Sequence, residues 1–140
     1  MSMDNYGRSG YGFEASGADA TYDRTMDFIR KHLTDEGQEL FRNCECLEDI
    51  EEVCSRVDDF GFRYNASGIL AFVIAEKTGQ DVLLCGDDSG IDWIMLLPAF
   101  PWETTRPMSR EDFEKEAGEL AREFFGEEVR FDWHTTEEWG

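Results

Sequence analysis

Basic residues are scarce in this chain. Three lysines and ten arginines stand against 32 aspartates and glutamates, so the formal net charge is 13 − 32 = −19. That imbalance argues against direct binding to nucleic acid or to an anionic membrane, since both would repel the chain. Proline is confined to one stretch, with Pro98, Pro101 and Pro107 its only occurrences. Long apolar runs are missing too. The longest, Ile69 to Ala75, is far too short to span a bilayer, which takes about 20 residues. Met1 to Gly17 is polar and glycine-rich, without the apolar centre of a secretory leader. A cytoplasmic setting is therefore expected, with Cys44, Cys46, Cys54 and Cys85 as free thiols.

Recognised catalytic signatures are likewise lacking. There is no GxGxxG followed by a helix, no phosphate-binding Gly-Lys-Ser/Thr and no HExxH. Cys44-x-Cys46 with Cys54 lacks the second pair that a structural zinc site needs, and reads as small hydrophobes near helix ends. The acidic run Asp87-Asp88-Ser89-Gly90-Ile91-Asp92 is not a calcium loop: the twelfth position from Asp87, where a glutamate belongs, is Pro98. A turn is expected there. Cys85 with His32 or His134 forms no local nucleophile–base pattern. No catalytic residue, metal or cofactor is assigned, and enzymatic activity is not expected.

What is present is enough to fold. The 140 residues suit one domain, and 41% hydrophobic with 14% aromatic content separates the chain from a disordered acidic tail. Residues 1–10 read as a flexible arm, 11–134 as one α+β domain and 135–140 as a polar tail. Tyr11 to Ala15 alternates as a short first strand. Tyr22, Met26, Ile29 and Leu33 fall on one face of a helix, and a short helix through Leu40 and Phe41 follows. Leu47, Ile50, Cys54 and Val57 repeat that pattern over Cys46–Val57, with Asn43 a candidate cap.

The run from Ser67 to Thr78 fits a buried strand or helix. Ser67 as a cap and Gly79 just past the end favour helix. Val82–Cys85 and Ile91–Leu97 read as paired strands, and 98–107 as an extended loop. Ser109 with Asp112 forms a capping box that opens a helix, and Gly126 closes it. Glu128 to His134 alternates as the last strand. The order β-α-α-α-β-β-α-β predicts a four-stranded antiparallel sheet with helices on one face, in ferredoxin-like order.

The acids fall in rows on this scheme. On the last helix Phe113, Ala117, Leu120, Ala121 and Phe124 make the buried stripe, while Asp112, Glu116, Glu119 and Glu123 share a neighbouring flank. Steps of four and three residues advance by about 6 and 4.5 Å. Two nucleotides of a DNA strand advance by about 6.8 Å. The row therefore presents negative charge at a density near that of a phosphate backbone. Glu45, Glu48, Asp49 and Glu52 form a second cluster, with Arg56 as local counter-charge. Neighbouring carboxylates about 6 Å apart repel by about 0.7 kcal/mol in water.

Such rows are partner-binding candidates for a basic protein surface, itself of a nucleic-acid-binding kind. The profile is short, acidic and free of enzymatic motifs. It resembles the inhibitors with which phages and mobile elements block restriction or CRISPR nucleases. Three other readings compete: a merely solvated helix face, adaptation to a salty cytoplasm, and an adaptor that binds through Phe100 and Trp102 on the proline-stiffened loop. A cryptic enzyme or cation-binding protein is a fourth alternative.

Overall fold

The computed structural model describes residues 5–15, 20–56, 66–80, 82–86, 92–96 and 108–139. Four strands and five helices occur among them: β1 (Asn5–Glu14), α1 (Tyr22–His32), α2 (Asp35–Leu40), α3 (Leu47–Arg56), α4 (Ser67–Thr78), β2 (Val82–Gly86), β3 (Asp92–Leu96), α5 (Arg110–Phe125) and β4 (Asp132–Trp139). The strands lie in the order β2-β3-β1-β4, each antiparallel to its neighbour.

Three of the helix starts, those of α1, α2 and α5, carry a side-chain cap. The Thr21 hydroxyl accepts from the Arg24 amide at the head of α1, and Thr34 accepts from the Gly37 amide at the head of α2. Ser109 accepts from the Asp112 amide at 3.1 Å. Gly79 and Gly126 close α4 and α5 with φ of 67° and 83°, the left-handed conformation that glycine adopts without strain.

Ser67 departs from expectation. The cap of α4 is Ala66, without a side-chain hydrogen bond, and the buried Ser67 hydroxyl donates instead to the Ala15 carbonyl at 2.7 Å. It thereby ties the end of β1 to the start of α4. Asn43 is not the cap of α3 either. Asp49 reaches back to accept from the Glu45 amide at 3.0 Å.

The sheet is longer at both outer ends than side-chain alternation predicts. Asn5–Gly10 pairs residue by residue with Trp139–His134. The boundaries expected at 10/11 and 134/135 therefore fall inside strands. Backbone groups make this ladder, so the polar and small side chains of both segments conceal it from a hydrophobic-pattern reading. Residues 128–131 precede β4 rather than opening it. α3 begins one residue later than its apolar pattern suggests, and Val57, at the expected far end, lies outside the described residues.

The core lies between one sheet face and the helices. Phe13, Leu84 and Ile94 meet Phe28 and Ile29 of α1, Ile50 and Cys54 of α3, Ile69 and Ile74 of α4, and the stripe Phe113, Ala117, Leu120, Ala121 and Phe124 of α5. Every member of that stripe is buried, as its spacing requires. Phe131 reinforces it with ring contacts to Phe13 at 5.0 Å and Phe113 at 6.1 Å.

The opposite sheet face is built differently. Trp93 of β3 and His134 of β4 stack with ring centroids 3.6 Å apart and planes 8° from parallel, although β1 runs between their strands. The contact is possible because β1 offers Gly10 and Gly12 on that face. A Cβ on Gly12 would fall on the Ile94 carbonyl oxygen. Glycine here serves close backbone approach.

Candidate functional site

The structure divides the acidic flank of α5. Asp112, Glu116 and Glu119 are exposed and form no ion pair among the described residues. Glu123 differs. Its carboxylate meets Lys31 Nζ at 3.1 Å and His32 Nε2 at 2.7 Å, both on α1. Burial alone would raise the Glu123 carboxyl, but hydrogen bonds from His32 and Lys31 outweigh it and hold the group below the ordinary carboxylate value. Being ionised, Glu123 only accepts, so Nε2 carries the proton. The fourth acid of the row is thus a tie between α1 and α5. It is lost to a partner.

Sequence reasoning missed this cluster because His32 and Glu123 are 91 residues apart and nothing local links them. The His32 side chain is only 6% exposed and packs on Phe28 at 4.6 Å. Its Nδ1 is buried without a hydrogen-bond partner among the described residues.

A cleft of about 460 Å³ lies along the same flank, lined by Glu116, Glu119, Leu120 and Glu123 with Lys31, His32 and Lys77. Two of the three lysines in the chain therefore stand beside the row, supplied by α1 and α4. Arg110, the base nearest to Asp112 in sequence, is placed elsewhere. Its guanidinium lies 5.5 Å from the Tyr11 ring centre and 5.7 Å from that of Trp133.

The α3 cluster is less compensated. Glu45, Glu48 and Glu52 are exposed, while Asp49 is half-buried and engaged by the Glu45 amide. Burial, and then the nearby Glu48 charge, pushes the Glu51 carboxyl above its ordinary value. Like charge on this helix thus adds to burial in disfavouring the ionised form of Glu51.

Comparison with known proteins finds no matching family model, curated sequence or solved structure. Geometry alone carries the functional reading. Phe100 and Trp102, the alternative anchors, lie outside the described residues, as do Asp87–Gly90 of the expected turn. No group of three or more His, Cys, Asp or Glu is placed to hold a metal ion among the described residues. None of the described helices is long and apolar enough to cross a membrane.

The cysteines separate by environment rather than gathering. Cys44 and Cys54 are buried free thiols, Cys46 is an exposed one, and Cys85 stands in β2. Burial, and next the neighbouring Cys44, pushes the Cys54 thiol up to about 12. A raised acid holds its proton longer in the folded state, so folding stability falls as pH rises above the unfolded thiol value of about 8.5. Iodoacetamide at pH 8 is accordingly expected to modify Cys46 quickly and Cys54 only on unfolding. Peptide mapping by mass spectrometry checks this, and comparable labelling of Cys54 in the native protein would contradict the assignment.

Proposed function

We propose that this chain is a small acidic binding protein that engages a basic protein surface, one that itself binds nucleic acid. The single observation behind the reading is the line of three exposed carboxylates on α5, Asp112, Glu116 and Glu119, which form no ion pair among the described residues. Glu45, just ahead of α3, with Glu48 and Glu52 on it, adds a second exposed group. Glu123 and Asp49, acidic but already engaged, serve structure. Rigid helices hold these charges in place, so association with a basic groove involves little further ordering.

In this mechanism the acids occupy the DNA-binding groove of the partner in competition with DNA. The net charge of −19 draws the two proteins together over long range, and salt weakens that attraction. The setting would be cytoplasmic, and the class that of phage or mobile-element inhibitors of nucleases. We assign the scaffold to the ferredoxin-like arrangement, a reading that the strand order β2-β3-β1-β4 supports. No catalytic step is part of the proposal.

The test is capture from a cell lysate on the immobilised protein, eluted with a salt gradient. Recovery of a basic nucleic-acid-binding protein at moderate salt, displaced by added duplex DNA, is the expected outcome. Partners that resist salt and ignore DNA would sink the electrostatic reading and turn attention to Phe100 and Trp102.

A further inference from the structure

A second, apolar cleft that the charge pattern does not announce shares His32 and Lys77 with the cleft beside the α5 acids. It has a volume of about 380 Å³ and is formed where the end of α1 and α2 face α4. Leu33, Leu40, Phe72 and Val73 supply its apolar lining, with Glu36 and Glu76 exposed among its lining residues. Leu40 is 46% exposed, one of two large apolar side chains so exposed among the described residues. His32 and Lys77 line this cleft and also the acidic cleft that holds Glu116 and Glu119. These two side chains stand between the clefts.

We infer that the apolar cleft and the α5 carboxylates form one docking surface, whose occupant is an amphipathic basic helix of the partner. The inference rests on the acidic-binder reading above and specifies the chemistry of what binds. An aliphatic side chain of the incoming helix enters beside Leu40, in the manner of a helix laid in a groove. Its lysine or arginine side chains meet Glu116 and Glu119 on one side, and Glu36 and Glu76 on the other. Lys31 and Lys77 leave the surface net acidic, because Glu123 and the four rim acids outnumber them. Charge complementarity selects the occupant. A second copy of this chain, itself at −19, is repelled, whereas a basic helix is attracted. The apolar anchor gives selectivity that charge alone lacks, since any polycation satisfies carboxylates.

Two fluorescent peptides of about 16 residues, long enough for helix formation, test this. One carries leucine at helical spacing with lysine elsewhere; the other replaces leucine with alanine at equal charge. The leucine peptide is expected to bind about tenfold more tightly, the factor that one buried aliphatic side chain is worth. Leu40→Gln should erase that preference while leaving the alanine peptide's affinity unchanged. Its melting temperature should match the parent's, because Leu40 is half-exposed.

Equal affinity of the two peptides for the parent protein overturns the cleft assignment and leaves the acidic-binder reading intact. Persistence of the preference in Leu40→Gln does the same. Failure of both peptides to bind removes the acidic-binder reading as well. Sedimentation completes the test: a concentration-dependent dimer abolished by Leu40→Gln gives the cleft to a second copy, and a monomer throughout agrees with the proposal.

Discussion

Phe124→Ala is expected to cost about 3 to 5 kcal/mol, the range for truncating a fully buried phenylalanine. Phe124 has no exposure and stands edge-on to Phe28 at 5.2 Å and to Phe125 at 5.0 Å. It closes the contact between α1 and α5, the two helices that Glu123 also joins through Lys31 and His32. Truncation leaves a cavity on the apolar side of that joint. The ring of Phe28, against which His32 packs, loses its support. Domains of this kind hold about 5 to 15 kcal/mol in all, so a large share of the stability goes. Urea unfolding should show a lower midpoint at an unchanged slope. Phe125→Ala, at a half-buried position, should cost clearly less. A loss below about 1 kcal/mol for Phe124→Ala would mean that this helix pair is not packed as described.

Asp112→Asn with Glu116→Gln and Glu119→Gln is expected to act on binding far more than on folding. The substitutions keep shape and reduce the net charge from −19 to −16. Two like-charge neighbours on one helix face each cost about 0.2 to 0.5 kcal/mol, which the variant recovers. Against this, Asp112 sits in the first turn of α5, where a negative charge is worth about 0.3 to 1 kcal/mol against the helix dipole. The effects oppose each other, and the midpoint of unfolding should barely move. Association is another matter. With the partner recovered from a lysate, stopped-flow mixing at low salt should show the on-rate falling about tenfold, with a flatter dependence on ionic strength. An unchanged on-rate would place the binding surface away from α5.

The legible part of this fold was the part written in side-chain periodicity. The stripe Phe113, Ala117, Leu120, Ala121 and Phe124 was readable because burial along a helix repeats every three or four residues. The stops at Gly79 and Gly126 were readable because only glycine is at ease with positive φ there. The outer ends of β1 and β4 were not, since a ladder of backbone hydrogen bonds between Asn5–Gly10 and Trp139–His134 leaves no apolar signature. Alternation over Glu128 to His134 puts Val129, Phe131 and Trp133 on one face, but does not say how far each is covered. Phe131 is packed in the core, but Trp133 is 55% exposed and meets Arg110 instead.

Long-range pairings account for the rest. Periodicity placed Glu123 in the acidic row, and only tertiary structure showed His32 and Lys31 claiming it. The stacking of Trp93 on His134 across a glycine-bearing strand was similarly out of reach, because it depends on strand order. The apolar cleft beside Leu40 gathers residues from three helices, so no single window of sequence contains it. In each case the relevant neighbour lies far along the chain.

Competition with DNA tests the central claim most directly. The captured partner is loaded with fluorescent duplex DNA, and this protein is titrated in while anisotropy is followed. Full release of the DNA at low salt, with a midpoint that shifts to higher protein concentration as salt rises, is the predicted result. A rise in anisotropy, showing that protein and DNA occupy the partner together, would contradict it.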